Sequence, residues 1–187
     1  MTDPLSTAPV SMPVWHEAIA FAARLHGGQL RKDGFTPYAA HPVRVALITA
    51  HEFACHDDGV IAAAALHDVI EDTPADYDDV AGAFGTRVAD LVAVLSKDHR
   101  MAGEPRDAAY HDAIETASDD AMVIKLADSL DNLRDAHLLR PVDDARITRL
   151  TRAVRRVVRD AERRSPAEDS VLSRAVTMLR STLGDTR

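Results

Sequence analysis

The sequence predicts an all-α fold, a single bundle of about eight to ten helices, because apolar residues recur at helical spacing along most of the chain. Aliphatic residues and alanine are abundant, whereas aromatic residues make up only 4% of the sequence. Pro and Gly fall mostly between the periodic stretches, where they act as breaks. No stretch shows the alternation of apolar and polar residues that is typical of a half-buried strand.

A chain of 187 residues is most simply one domain, which we expect to cover residues 14–187. Residues 1–13 are rich in Thr, Ser and Pro. They lack the basic and hydrophobic regions of a secretory signal, so we predict a disordered leader. No apolar run approaches the roughly 20 residues of a membrane span, so no membrane contact is expected.

The chain has one cysteine, Cys55, which excludes an internal disulfide. A single thiol of this kind is typical of a reducing compartment, so a cytoplasmic location is predicted. We interpret Cys55 as a small buried or half-buried residue without a catalytic role.

The net charge of −8 is unevenly distributed along the chain. Residues 1–139 carry 10 Lys/Arg against 23 Asp/Glu, and residues 140–187 carry 12 Arg against 7 Asp/Glu. An acidic protein is a poor binder of nucleic acid, and no such partner is expected. Acids intersperse the arginines of the C-terminal region, which favours a solvated helix face there.

The first half of the chain is predicted to form three helices, one loop and the start of a fourth helix. The periodicity predicts helices over about 14–25, 42–53 and 58–71, with a loop over 27–37 after the first. Thr73-Pro74 resembles the start of a further helix, with Thr as N-cap and Pro at the first position.

In the second half, Gly85-Thr86 is predicted to end one helix and cap the next. Residues 98–106 have no apolar period and are predicted to form a mobile loop. Ser118 opens a helix with apolar residues up to Leu133. Two amphipathic helices follow, and the second is predicted to begin at Ser165–Glu168, which has the capping-box pattern. The predicted buried positions of these last two helices are Ile147, Leu150, Val154, Val157 and Ala161, and then Leu172, Val176 and Leu179.

The most informative segment is the apolar run 60–66, which is followed at once by His67, Asp68, Glu71 and Asp72. An uninterrupted apolar run is typical of a buried helix. Its end therefore carries ionisable side chains to the edge of the core, where uncompensated charge is costly. A bound cation is the simplest compensation.

Two further side chains are candidate ligands of that cation. His41 stands before Pro42 at a predicted helix start, and Asp128 lies inside an otherwise apolar helix. Two imidazoles and two carboxylates suit a divalent ion such as Mn, Fe, Co or Zn. An isolated His-Asp pair is weak evidence, since a satisfied surface or capping pair is the commoner explanation.

Three motifs occur in order: residues 26–42 (HGGQLRKDGFTPYAAHP), 67–73 (HDVIEDT) and 125–134 (KLADSLDNLR). Together they resemble the HD metal-dependent phosphohydrolase superfamily, and within it the RelA/SpoT-type alarmone hydrolases. The resemblance covers roughly residues 14–160. In length, the chain resembles the stand-alone small alarmone hydrolases of that group.

This resemblance implies hydrolysis of the 3′-pyrophosphate of guanosine tetra- or pentaphosphate (ppGpp, pppGpp) to GDP or GTP and pyrophosphate, usually with Mn²⁺. It implies metal binding by His41, His67, Asp68 and Asp128, and a catalytic acidic pair formed by Glu71 and Asp72. Glu71 falls three and four residues after two of the ligands, so a helix would turn it toward the metal. We assign Glu71 to water activation and Asp72 to a partner role or to protonation of the leaving group.

The resemblance also implies nucleotide contacts for Arg31, Lys32 and Asn132. Lys97 is a plausible phosphate partner, although its surroundings differ from the family pattern. Tyr38 packs on the ribose or anchors a loop; these two readings stay open.

Two positions depart from the family pattern. Ser129 occupies a position that is usually arginine, and Asp131 one that is often histidine, tyrosine or asparagine. Either change weakens phosphate binding or alters the pairing around the site.

Two alternative functions stay open. The same chemistry would remove a ribose 2′- or 3′-phosphate, as in NADPH, because the metal contacts phosphate rather than base. A degenerate domain that only binds nucleotide is the non-enzymatic alternative. The oligomeric state is open too.

Overall fold

The structure, a computed structural model, describes residues 11–139 and 141–185. The predicted all-α fold is confirmed. Most of the predicted leader lies outside the described residues, so that assignment stays a prediction. In the described ranges the chain forms ten α-helices and one π-helical turn. The α-helices are α1 (Val14–Leu25), α2 (Ala40–Leu47), α3 (Asp58–Leu66), α4 (Val69–Asp72), α5 (Tyr77–Phe84), α6 (Thr86–Leu95), α7 (Gly103–Thr116), α8 (Asp119–Leu138), α9 (Asp144–Arg163) and α10 (Val171–Thr182).

Helix α3 is the centre of the bundle and packs against α1, α2, α6 and α8. Every residue of the run 60–66 is buried, as predicted, because partner helices surround it on all sides. Four of those residues are alanine, so neighbouring backbones approach closely. Helix α1 uses this space with two alanines of its own, Ala18 and Ala22, which are almost fully buried. Asp57 caps the start of α3 by accepting hydrogen bonds from the N–H groups of Gly59 and Val60.

Helix α8 also contributes many residues to the core. It begins at the predicted place, after Ser118. The Ser118 hydroxyl accepts a hydrogen bond from the N–H of Ala121. Most buried residues of α8 are apolar, and two are aspartates, Asp128 and Asp131. Burial of two carboxylates on one helix requires partners for both. These partners come from α2, from the turn after α3 and from α8 itself.

Three predictions for the first half were wrong, and two of them concern helices that are interrupted. The helix predicted over 58–71 is broken after Leu66, where His67 and Asp68 form a turn before α4. The helix predicted over 42–53 is α-helical only to Leu47 and then continues as a π-helical turn, Ile48–Glu52. The first deviation contains His67 and Asp68, two of the ionisable side chains that the sequence singled out.

The helix predicted to start at Thr73-Pro74 begins instead at Tyr77. The Thr73 hydroxyl donates a hydrogen bond to the carbonyl of Val69 and so ends α4 instead of capping α5. Asp76 is the actual N-cap, and it forms a reciprocal capping box with Asp79. Gly85 ends α5 and precedes α6, as predicted.

The second half contains two further corrections. The loop predicted over 98–106 is shorter, because α7 begins at Gly103. The last helix begins at Val171 rather than near Ser165, with the Ser170 hydroxyl accepting from the N–H of Ser173. Ser165 has a left-handed backbone (φ 50°) and follows the end of α9, which is incompatible with an N-cap conformation. The predicted positions Val154, Val157, Ala161, Leu172, Val176 and Leu179 are buried, and Ile147 and Leu150 are half-buried.

The described part of the chain contains no helix that is both long and apolar enough to cross a membrane.

The close approach of α1 to α3 gives a stability prediction. We expect Ala22→Leu to lower the free energy of unfolding by about 1–3 kcal/mol, because added methylenes in a packed interface force strain. Urea denaturation measures the change. Ala23→Leu is the matched control: Ala23 is exposed on the same helix, so its effect should stay within about 0.5 kcal/mol. Equal effects of the two substitutions would contradict the packing described here.

Candidate metal centre and active site

The turn between α3 and α4 brings two neighbouring side chains to one point. On a regular helix, adjacent residues diverge by about 100°. Here His67 ends α3 and Asp68 (φ −98°, ψ −4°) precedes α4, so the regular helix is interrupted between them. The Nε2 atom of His67 lies 3.2 Å from Oδ2 of Asp68. The break in the helix therefore allows both side chains to contact the same ion.

His41 from α2 and Asp128 from α8 complete a group of four donors. Nε2 of His41 lies 3.5 Å from Oδ2 of Asp68 and 3.3 Å from Oδ1 of Asp128. Nε2 of His67 lies 3.8 Å from the same Asp128 oxygen. A cation about 2.1 Å from each of four tetrahedral donors needs donor–donor separations of about 3.4 Å. Ligand atoms of His41, His67 and Asp128 lie within 4.8 Å of one another, a spacing that could hold a metal ion, and Asp68 lies within 3.5 Å of both imidazoles.

The two imidazoles are oriented with Nε2 toward the carboxylates. Nδ1 of His67 lies 2.9 Å from the carbonyl oxygen of Ala64, and Nδ1 of His41 lies 2.6 Å from Oδ2 of Asp131. A carbonyl or carboxylate partner requires a proton on Nδ1, which leaves the Nε2 lone pair free for a metal. In the described residues the buried Nε2 of His67 has no hydrogen-bond partner. This orphaned atom fits a metal ligand.

Other donors hold the two ligand carboxylates. The Tyr38 hydroxyl donates to Oδ2 of Asp68 at 2.6 Å, and the Lys125 ammonium contacts Oδ2 of Asp128 at 2.8 Å. The side-chain amide of Asn132 also donates to Asp128. Burial favours the neutral acid, but the Lys125 ammonium and the imidazoles hold the pKa of Asp128 well below its usual range. Asp128 is therefore an anionic ligand at neutral pH.

Glu71 lies beside this cluster on α4. Its Oε2 atom accepts a hydrogen bond of 3.0 Å from the backbone N–H of Lys97, and its carbonyl oxygen lies 2.7 Å from Nε2 of His99. Burial raises the pKa of the Glu71 carboxyl, and the neighbouring carboxylates of Asp68 and Asp72 act in the same direction. A raised pKa makes the Glu71 carboxylate a stronger proton acceptor.

Asp72 lies on the far side of Tyr38. Its Oδ2 atom lies 3.0 Å from the Tyr38 hydroxyl and shares the single proton of that hydroxyl with Asp68, which lies 2.6 Å away. Its backbone carbonyl accepts from the side-chain amide of Gln29. Glu71 lines the cavity at the cluster, whereas Asp72 does not. The two predicted catalytic acids therefore have different environments.

A cavity of about 170 Å³ opens over the four donors. Its wall includes two lysines and a tyrosine: the ammonium groups of Lys97 and Lys125 lie 5.5 and 5.3 Å from the ring centroid of Tyr110. Cations at such distances interact favourably with an aromatic face. The cavity thus combines anionic metal ligands with positive charge at its side, an arrangement that suits a phosphate group bound to a cation.

The predicted substrate contacts divide into two groups. Tyr38, Lys97 and Asn132 line the cavity. Arg31 does not line it: its buried guanidinium pairs with Asp135 at 2.9 Å and donates to Oδ1 of Asn132 at 3.1 Å. Lys32 is exposed and borders a separate groove. Nucleotide contacts by Arg31 and Lys32 stay predictions, and in this structure Arg31 orients Asn132.

Sequence reasoning missed three residues of the site. Lys125 precedes Asp128 by three residues, within a motif that had been recognised, so helical spacing could have identified it. Tyr110 had no local signal, because α7 was not predicted. Asp131 was noted only as a departure from a pattern, yet it is the carboxylate that contacts His41. Ser129, the other departure, is half-buried and does not line the cavity.

Comparison with known proteins agrees with this geometry. The model of the HD domain family matches residues 18–158. The guanosine-3′,5′-bis(diphosphate) 3′-pyrophosphohydrolase MESH1 of Drosophila melanogaster is 40% identical over 126 residues, 67% of this chain and 70% of that protein. Human MESH1 is 41% identical with the same coverage.

A solved structure of a metazoan SpoT ortholog, described as hydrolysing ppGpp, is similar over nearly the whole chain. It has a TM-score of 0.77 at 32% sequence identity and covers 95% of this chain and 99% of the other. The resemblance found in the three sequence motifs is thereby confirmed. The family match extends over more than half of the chain and includes all four candidate ligands, so this protein belongs to the HD domain family.

Proposed function

We propose that this protein hydrolyses the 3′-pyrophosphate of ppGpp and pppGpp, giving GDP or GTP and pyrophosphate, with Mn²⁺ as cofactor and in the cytoplasm. The observation that carries the proposal is the convergence of His41, His67, Asp68 and Asp128 beside Glu71 at one cavity. The names of the MESH1 relatives and the description of the SpoT ortholog support the substrate.

His41, His67, Asp68 and Asp128 would hold the cation. A divalent cation supplies positive charge to a phosphoryl group and makes a nearby water molecule more acidic. The protein holds the two carboxylates for this task through the Tyr38 hydroxyl and the Lys125 ammonium. Two imidazoles with two carboxylates suit Mn²⁺ among other transition metals.

Glu71 would accept a proton from the attacking water. The N–H of Lys97 fixes one of its carboxylate oxygens, and burial keeps its pKa raised. Attack on the phosphorus next to the ribose breaks the bond to the 3′ oxygen, which then needs a proton. Asp72 is the proposed source or partner for that proton, through the hydrogen bond that it shares with Tyr38.

The cationic wall would bind the anionic substrate. Lys97 and Lys125 extend over the ring of Tyr110 at the cavity, so a pyrophosphate group bound near the metal would lie within reach of positive charge. Asn132, fixed between Arg31 and Asp128, would contact the nucleotide from α8.

Loss of the metal should abolish activity and lower stability. A ligand that binds only the folded state raises the unfolding temperature. We therefore expect Mn²⁺ to raise the melting temperature of chelator-treated protein, and Asp128→Asn to remove that shift. Asp119→Asn, an exposed position on the same helix, is the control and should keep it. Scanning fluorimetry with and without Mn²⁺ measures both; no shift in the unsubstituted protein would contradict the metal site.

Glu71→Gln should lower kcat for ppGpp by about 10²- to 10⁴-fold, because an amide cannot accept the proton. The fold and the Mn²⁺-dependent thermal shift should be retained. Quantification of pyrophosphate together with GDP measures the reaction, and Glu104→Gln, at an exposed position, serves as control. Release of orthophosphate alone, or faster hydrolysis of NADPH than of ppGpp in parallel assays, would favour the alternative phosphatase.

The two predicted cations should differ in their effect on substrate affinity. Lys97 lines the cavity and Lys32 does not. Loss of a charge-assisted hydrogen bond costs about 1.5–3 kcal/mol, so Lys97→Gln should raise KM for ppGpp by about tenfold or more. Lys32→Gln should raise it less. Steady-state kinetics at saturating Mn²⁺ compare the two, and a larger effect at Lys32 would place the nucleotide outside this cavity.

A further inference from the structure

We propose that Asp131 is a positioning residue of the metal centre, which fixes the tautomer of His41 and strengthens its bond to the cation. The inference rests on the proposed metal site. It assigns a role to a residue that the family resemblance left unexplained, since that position is often histidine, tyrosine or asparagine.

The contact between Asp131 and His41 is short and buried. Oδ2 of Asp131 lies 2.6 Å from Nδ1 of His41, and the two residues are 2% and 1% exposed. A carboxylate accepts but does not donate, so Nδ1 must carry the proton and Nε2 must face the cation. The negative charge behind the ring makes Nε2 a stronger electron donor, as in the carboxylate–histidine–zinc arrangement of other metalloproteins.

Asp131 is held in this orientation from a second side. Arg44 donates two hydrogen bonds to Asp131, from Nε to Oδ1 at 2.6 Å and from Nη2 to Oδ2 at 2.9 Å. Its Nη2 also donates to Asp135. A buried carboxylate without such partners would be costly. The bidentate pairing fixes the plane of the carboxylate and leaves it aimed at the imidazole.

The second imidazole of the site provides an internal comparison. Nδ1 of His67 faces the neutral carbonyl of Ala64, whereas Nδ1 of His41 faces a charged group. A carbonyl is sufficient to fix a tautomer. The carboxylate at His41 therefore adds charge to the site beyond what orientation alone requires, and this charge should appear as metal affinity.

The test measures Mn²⁺ binding to chelator-treated protein by titration calorimetry, without substrate. Asp131→Asn keeps the shape of the side chain and removes its charge. We expect its Kd for Mn²⁺ to rise about tenfold or more, as is typical when such outer partners are lost. Glu52→Gln is the control: it removes a carboxylate that borders the same groove and pairs with Arg134, away from the candidate ligands, and it should change Kd by less than about twofold.

A rescue experiment separates charge from general disruption. Asp131 borders a surface groove together with Arg44, so a small carboxylate has a route to its position. In Asp131→Ala, added formate should restore Mn²⁺ affinity, while chloride at equal concentration should not. Circular dichroism verifies that the variants are folded.

Equal Kd values for Asp131→Asn and Glu52→Gln, or an Asp131→Ala variant that formate does not restore, would overturn the proposal. A protein that binds Mn²⁺ with the expected Asp131 dependence but leaves ppGpp intact would sustain this inference and refute the proposed substrate. Hydrolysis of ppGpp with an unchanged Kd in Asp131→Asn would do the reverse.

Discussion

The structure depends on the interruption of a buried helix at His67. Helix α3 is the most enclosed element of the bundle, and its last turn meets the side chains of α2 and α8. If the helix continued regularly, His67 and Asp68 would diverge by about 100°. The turn sends both to the same point, where His41 and Asp128 lie opposite. The buried charge is thereby collected into one cluster instead of being spread through the core.

Compensation of that charge extends outward in layers. Four ligand side chains are contacted by Tyr38, Lys125, Asp131 and the carbonyl of Ala64, and these are contacted in turn by Asp72, Tyr110 and Arg44. At each step outward, a charged group is followed by one of opposite charge, or a hydrogen-bond acceptor by a donor. Such networks are stabilising only when nearly every member has a partner. The buried helices α3 and α8 place these groups within contact distance of one another.

Sequence reasoning was accurate where a single element determines the outcome. The bounds of α1, the burial of α3 and the start of α8 at Ser118 follow from local periodicity and capping. The four candidate ligands were predicted from ionisable residues at the end of or inside apolar segments and at a helix start, together with the family resemblance, and the structure brings these side chains together. Local signals failed where two caps compete, as at Thr73 against Asp76. They also failed where a role comes from another helix, as for Tyr110 and for Asp131, whose partners are distant in sequence.

Lys97 contributes to the site in two ways, through its main chain and through its side chain. The hydrogen bond that fixes Glu71 comes from the main chain at position 97, whereas the side chain of the same residue extends to the cavity wall. Any residue except proline supplies that N–H. A substitution at position 97 can therefore replace the side chain at the cavity wall. The backbone N–H that orients the Glu71 carboxylate would be retained. Position 97 thus contributes to the cavity through its side chain and to the orientation of Glu71 through its main chain.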